Sequence, residues 1–218
     1  MNLVLPYATA LFLGSVHALE ADHMAAVTAF AVRKPAPLAA AGFGIRWAVG
    51  HGASVILVGA ILLLIGLTIP AGANEWLDRS VGLVLIALGL WTAWHASRLH
   101  AHVHHHDGGL EHAHLHSHAF RTEHDHQHAA TMIGALHGLA GAAPAVALLQ
   151  VTRSGSFLQG MAYLGIFAVG TAFGMAAYAL LTGWLMGRAA IRSERLARVL
   201  GKLTGLGTVT IGLIWLLH

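Results

Sequence analysis

The sequence predicts an all-α, polytopic membrane protein in which six transmembrane helices form two inverted three-helix repeats with a histidine-rich loop between them. Three observations carry the prediction. Of 218 residues, 56% are hydrophobic and only 10% are charged, where a soluble domain carries about 25% charge. Six apolar stretches reach bilayer length, and parts of the first three recur in the last three.

A spanning helix needs roughly 20 apolar residues, and such stretches cover residues 3–32, 38–69, 76–95, 130–151, 157–187 and 199–217. Backbone polar groups in hydrocarbon must be satisfied internally, and continuous apolar runs do this as helices rather than as a barrel. The first stretch lacks a basic n-region and a small-residue cleavage site, so it reads as a retained span and not as a signal peptide. It would make about 45 Å of helix against a hydrocarbon core of about 30 Å, so a tilt, kink or break is expected there.

Alternate sides of six spans differ sharply in charge. One side holds Arg33, Lys34, Arg46, Arg98, Arg121, Arg188, Arg192, Arg195, Arg198 and Lys202, and the other holds Arg79 and Arg153. Lysine and arginine favour the cytoplasmic side, which predicts a multi-pass inner-membrane protein with both termini outside and the histidine-rich loop inside. The net charge of +3 is therefore read as topology, and no nucleic-acid partner is expected. The chain has no cysteine, which removes disulfide and thiolate chemistry and disfavours a soft copper(I) site.

The repeat is visible in the residues. An offset of 120 lays Leu13–Val27 over Ile133–Ala147, matching Gly14 with Gly134, His17 with His137 and Leu19 with Leu139. The same offset lays Ala48-Val49-Gly50-His51 over Ala168-Val169-Gly170-Thr171. Three spans per half invert the second half, an arrangement found in secondary transporters whose sites lie near the midplane. The expected organisation is a single transmembrane domain, with repeat one at 1–97, the loop at 98–129 and repeat two at 130–218.

Residues 95–128 hold 13 of the 18 histidines. This polar segment, without a 3.6-residue period, reads as a disordered loop that gathers metal ions through His102, His104, His105, His106, His112, His114, His116, His118, His124, His126 and His128. At alternate positions, His112, His114, His116 and His118 would share one side of an extended segment. A polar spacer or a pH-sensitive linker is the plainer alternative.

Four further histidines lie within the spans: His17, His23, His51 and His137. The first two sit in Val16–Met24, VHALEADHM, beside Glu20 and Asp22. A carboxylate at the centre of a membrane helix costs about 2.5–3.5 kcal/mol on insertion scales, so such residues are functional-site candidates by default. In a regular helix His17, Glu20 and His23 would share an arc of about 120° and Asp22 would lie about 140° from His17; only an unwound turn lets all four converge. Imidazole and carboxylate donors without sulfur suit nickel, cobalt and zinc, and the histidines argue against calcium and magnesium. A proton relay uses the same residue types. His51 stands between two glycines, His137 stands among small residues ahead of Pro144, and either alone reads equally as a hydrogen-bonded core histidine.

His17, Asp22 and His23 form an H-x4-D-H pattern that resembles the signature of the nickel/cobalt transporter family and its smaller relatives, the nickel/cobalt exporters and urease-accessory-type nickel permeases. Gly50-His51 resembles the family's G-H motif, and the histidine-rich loop resembles the exporter branch. The resemblance covers most of the chain and implies nickel or cobalt as the transported ion, with His17, Asp22 and His23 contacting it. Three departures stand out. Val16 replaces a basic residue, Gly52 and Ala53 stand where importers have small hydroxyl residues, and there are six spans rather than the eight of the large importers.

The expectation is a secondary transporter of divalent metal working by alternating access, with metal held by His17, Asp22, His23, His51 and His137. Glu20 would act behind a histidine or carry a coupled proton. Zinc is the nearest competing ion, and a membrane sensor or metallochaperone that moves nothing is the competing class. No H-E-x-x-H pair or G-x-S-x-G elbow supports an enzyme, and no prosthetic group is expected. Beyond the metal ion and the bilayer, a second copy of the chain and a cytoplasmic metallochaperone are the candidate partners.

Overall fold

The computed structural model describes residues 4–33, 35–65, 71–104, 112–117, 127–140 and 156–217. Its helices are α1 (Val4–His17), α2 (Ala21–Arg33), α3 (Pro37–Ile65), α4 (Ala71–Ser97), α5 (Gln127–Ala140), α6 (Phe157–Arg192) and α7 (Glu194–Leu217). Four segments are long and apolar enough to cross a membrane: Pro37–Ile65, Arg79–Ser97, Phe157–Arg192 and Glu194–Leu217. The pair α1 and α2, bent by 55°, makes a fifth. Of the expected fourth span, α5 accounts for the first part, and residues 141–151 lie outside the described residues, as do 66–69 and His218.

Beside the helices the described residues hold an antiparallel strand pair, β1 (Leu99–His104) with β2 (His112–Ser117). It replaces the irregular loop expected there. Its register faces His100 with His116, His102 with His114 and His104 with His112, so the alternating histidines of the sequence become opposed positions on two extended strands. His105, His106, His118, His124 and His126 lie outside the described residues. His95 belongs to the last turn of α4 rather than to the loop.

The helices over the expected fifth and sixth spans run further than the apolar stretches. α6 continues to Arg192 and α7 starts at Glu194, with Ser193 between them. A capping box opens α6, in which the Ser156 hydroxyl accepts from the Gln159 backbone N–H and the Gln159 side chain accepts from that of Ser156. This arrangement satisfies two of the orphan donors of a helix start.

Close helix packing in a bilayer needs small residues, because lipid supplies no hydrophobic force between helices. The glycines fall where backbones meet. A Cβ added at Gly14 would overlap the Phe167 carbonyl, and one at Gly134 would overlap the Trp47 carbonyl; Gly170 meets the Leu11 carbonyl and Gly50 that of Thr131. Each pair maps on the other by the offset of 120. α4 and α7 cross through Gly82 against Gly212 and Gly89 against Gly205.

The same contacts order the helices along the bundle. Gly134 meets Trp47 and Gly138 meets His51, so α5 runs along α3; Gly14 meets Phe167 and Gly174 meets Ala18, so α1 runs along α6. Gly187 touches the Pro35 carbonyl and Gly201 touches Ala96 and Val32, which gathers the ends of α2, α4 and α6 and the starts of α3 and α7 at one end. Arg98, Arg188, Arg192, Arg195, Arg198 and Lys202 lie there, with the hairpin directly following α4. Arg98 stacks over Trp94 at 4.2 Å and Arg188 over Trp184 at 4.1 Å.

The interior is rich in alanine around a few large groups. Ala18, Ala25, Ala26, Val27, Phe43, Trp47, Leu85 and Met175 are buried in one cluster, where Phe30 and Phe43 stack with centroids 3.8 Å apart. Leucine, isoleucine, valine and phenylalanine such as Leu57, Ile61, Leu90, Val169 and Phe173 stay exposed on the outward faces, as a helix surrounded by lipid requires.

Candidate metal site

The break between α1 and α2 builds the site. Leu19 N–H donates to Val16 O at 2.9 Å and Glu20 N–H to His17 O at 3.0 Å, closing α1 with tightened turns, and Met24 N–H donates to Glu20 O at 3.0 Å to start α2. No glycine or proline sits at Ala18–Glu20, so the break is not a matter of local propensity. Asp22 lies in the first turn of α2, where a carboxylate complements the helix dipole. Its Oδ1 accepts from the His23 backbone N–H at 2.9 Å.

The five histidine and aspartate positions singled out in the sequence converge. His17, Asp22, His23, His51 and His137 are all buried, and they come from α1, α2, α3 and α5. Ring centroids lie 4.6 Å apart for His17 and His23, 5.1 Å for His23 and His51, and 4.4 Å for His23 and His137. His51 is at the middle of the 29-residue α3. Two overlapping trios bring ligand atoms within 4.8 Å of one another: His17, His23 and His51, and Asp22, His23 and His137. Either trio could hold a metal ion.

The carboxylates orient the rings. His17 Nδ1 donates to Glu20 Oε1 at 2.9 Å, His23 Nδ1 to Asp22 Oδ1 at 3.0 Å, and His137 Nε2 to Asp22 Oδ2 at 3.0 Å. A neutral imidazole that donates from one nitrogen keeps a lone pair on the other. For His17 that lone pair is on Nε2, 3.4 Å from His51 Nε2. For His23 it is on Nε2, which is buried and has no hydrogen-bond partner among the described residues. Native interiors rarely leave such an atom unmatched, and a carboxylate on the remote nitrogen is the usual support of a metal-binding histidine.

Glu20 and Asp22 therefore stand differently. The Glu20 side chain is 49% exposed while His17 beneath it is 6% exposed; Asp22 is buried and spans from α2 to α5. The unwound turn lets Asp22 join His23 and leaves Glu20 behind His17. Val16, at the position of the missing basic residue, is half exposed on α1.

Two aromatic walls were not anticipated from the sequence. Phe167 lies against His17 with centroids 5.4 Å apart, and Trp47 against His137 at 5.7 Å. The signal was present, since the offset of 120 that aligns Ala48 with Ala168 aligns Trp47 with Phe167 one position earlier. Thr171, the counterpart of His51, is buried and donates to Phe167 O at 3.0 Å, so it turns to its own helix.

Fold and site together define a multi-pass membrane protein with a buried histidine and carboxylate cluster able to bind metal. Over residues 8–214 the chain matches the family described as cytochrome C biogenesis protein transmembrane region, and it belongs to that family. Two curated relatives are consistent with the nickel/cobalt transporter family. The chain is 30% identical over 186 residues to a protein of Methanocaldococcus jannaschii inferred to be a nickel/cobalt efflux system, a match covering 83% of this chain and 77% of that one. It is 27% identical over 176 residues to the urease accessory protein UreH of a Bacillus species, covering 78% and 73%. No solved structure matches the chain.

Proposed function

We propose that the protein is a secondary transporter of divalent transition-metal ions, with nickel or cobalt as the cargo, that works by alternating access around the cluster of His17, Asp22, His23, His51 and His137. The observation that carries this reading is His23 Nε2, a buried lone pair left open among three other imidazoles and held in place by Asp22. Nitrogen donors with carboxylate support and no sulfur suit nickel and cobalt, and the name of the methanogen relative points to the same ions.

In this reading six spans form two inverted halves, residues 1–97 and 130–218, of one transmembrane domain. The reciprocal glycine contacts support the pairing of α1 with α5 and α3 with α6 at an offset of 120, and of α4 with α7 at an offset of 123. The basic end is cytoplasmic, both termini lie outside, and the histidine hairpin collects metal on the cytoplasmic face of the inner membrane. Zinc is the second reading, because three imidazoles are also a familiar zinc set.

Proteoliposome flux with nickel, cobalt and zinc compared tests the proposal. His23→Ala should abolish flux of the preferred ion while the protein stays monodisperse. Flux at the wild-type rate in that variant removes the site, and no flux of any ion in the wild type removes the transporter.

A further inference from the structure

The cluster offers one histidine to two ligand sets. His23 is shared by the trio with His17 and His51 and by the trio with Asp22 and His137. Its ring lies at nearly equal distances from the two histidines that the repeat makes equivalent, 4.6 Å from His17 and 4.4 Å from His137. The two nitrogens of His23 differ in the same sense, since Nδ1 faces Asp22 and Nε2 is open. The helices carrying the outer members start at opposite ends of the bundle. α1 brings His17 from the end away from Pro35, and α5 brings His137 from the basic end.

Resting on the reading of this cluster as a metal site, we infer that it holds one ion at two alternating positions, with His23 as the ligand common to both. At the first, the ion takes nitrogen from His17, His23 and His51. At the second it takes a carboxylate oxygen of Asp22 with nitrogen from His23 and His137. The ion passes from one to the other by breaking its bond to Nε2 of His23 and forming one to Nδ1 of the same ring, and the set it occupies follows the half of the molecule that is open. The step needs no net proton transfer. Each imidazole is neutral before and after: the protons displaced from His23 Nδ1 and His137 Nε2 go to water of the open half, and His23 Nε2 and His137 Nδ1 take one proton each from that water, so the exchange balances. The two sets overlap on a single residue and their histidines sit about one ring apart, so the positions exclude each other and stoichiometry stays at one.

Cobalt(II) titration with X-ray absorption, on full-length protein whose loop histidines at 100–128 are replaced by glutamine, tests this. His17→Ala should bind one cobalt through two imidazoles and a carboxylate, and His137→Ala should bind one through three imidazoles. Each should bind about 10–100-fold more weakly than the parent, and neither should transport. His17→Gln and His137→Gln, which retain bulk, give the same readout where alanine impairs folding. Loss of binding in either variant, the same ligand set in both, or wild-type flux in either overturns the two positions and leaves the transporter reading standing. Unchanged cobalt affinity in His23→Ala overturns the metal site itself.

Discussion

Residues 1–97 and 130–218 share a set of glycine contacts and differ in chemistry. Gly14 and Gly134 press on the carbonyls of Phe167 and Trp47, and His17 and His137 face the rings of those same two residues. Beyond that the likeness stops. Glu20, Asp22 and His23 correspond to Ala140, Ala142 and Ala143, and His51 corresponds to Thr171. Backbone approach tolerates no substitution for glycine, so both copies retain it.

That comparison breaks first at the glycines. Gly14→Leu and Gly134→Leu should each eliminate folded protein, because the added side chain meets backbone that has nowhere to move; overpacking even softer surroundings costs about 1–3 kcal/mol. Yield of monodisperse protein in detergent is the measure, and tolerance of one but not the other would show that the halves do not pack alike. Next, His51→Thr gives the first half the residue of the second. It should fold, as Thr171 does at the matching position, and weaken metal binding by about 10–100-fold, as loss of a supporting partner does, because the set of Asp22, His23 and His137 does not use His51. Calorimetric titration decides it.

A finer contrast lies between the two carboxylates. Asp22→Asn should weaken cobalt binding by about 10–100-fold, and Glu20→Gln by about 10-fold or less, because Glu20 supports one ring from an exposed position and Asp22 two from a buried one. Equal losses would contradict the different standing of the two residues. The smallest effect belongs to Trp47→Phe, which imposes on the first half the aromatic of the second. The Trp47 Nε1 has no hydrogen-bond partner among the described residues, so the change should cost only the packing of the lost ring atoms, less than the roughly 3–5 kcal/mol of a full aromatic truncation, and leave affinity unchanged.

Much of this was legible in the residues. Helix class followed from apolar length, the cluster from carboxylates placed where hydrocarbon penalises them, and the pairing of His17 with His137 from the repeat. The place of the helix break was not. Ala18-Leu19-Glu20-Ala21 are good helix formers, and what interrupts them is tertiary, namely the hold of Asp22 on His137 of a distant helix. The Trp47 and Phe167 walls escaped because aromatic residues in a span read as ordinary packing. The hairpin escaped because alternating histidine carries no hydrophobic signal, while the extension of α6 to Arg192 crosses from apolar to basic composition without leaving the helix.

The glycine contacts also bear on how the molecule could move. Where side chains interlock, sliding one helix past another means resorting rotamers, with a barrier for each. At Gly14, Gly50 and Gly170 the nearest atoms across the seam are all main chain, a setting in which weak Cα–H···O contacts are worth only about 0.5–1 kcal/mol each. A seam of that kind is smooth, and it shears with little friction while keeping the helices at one fixed spacing.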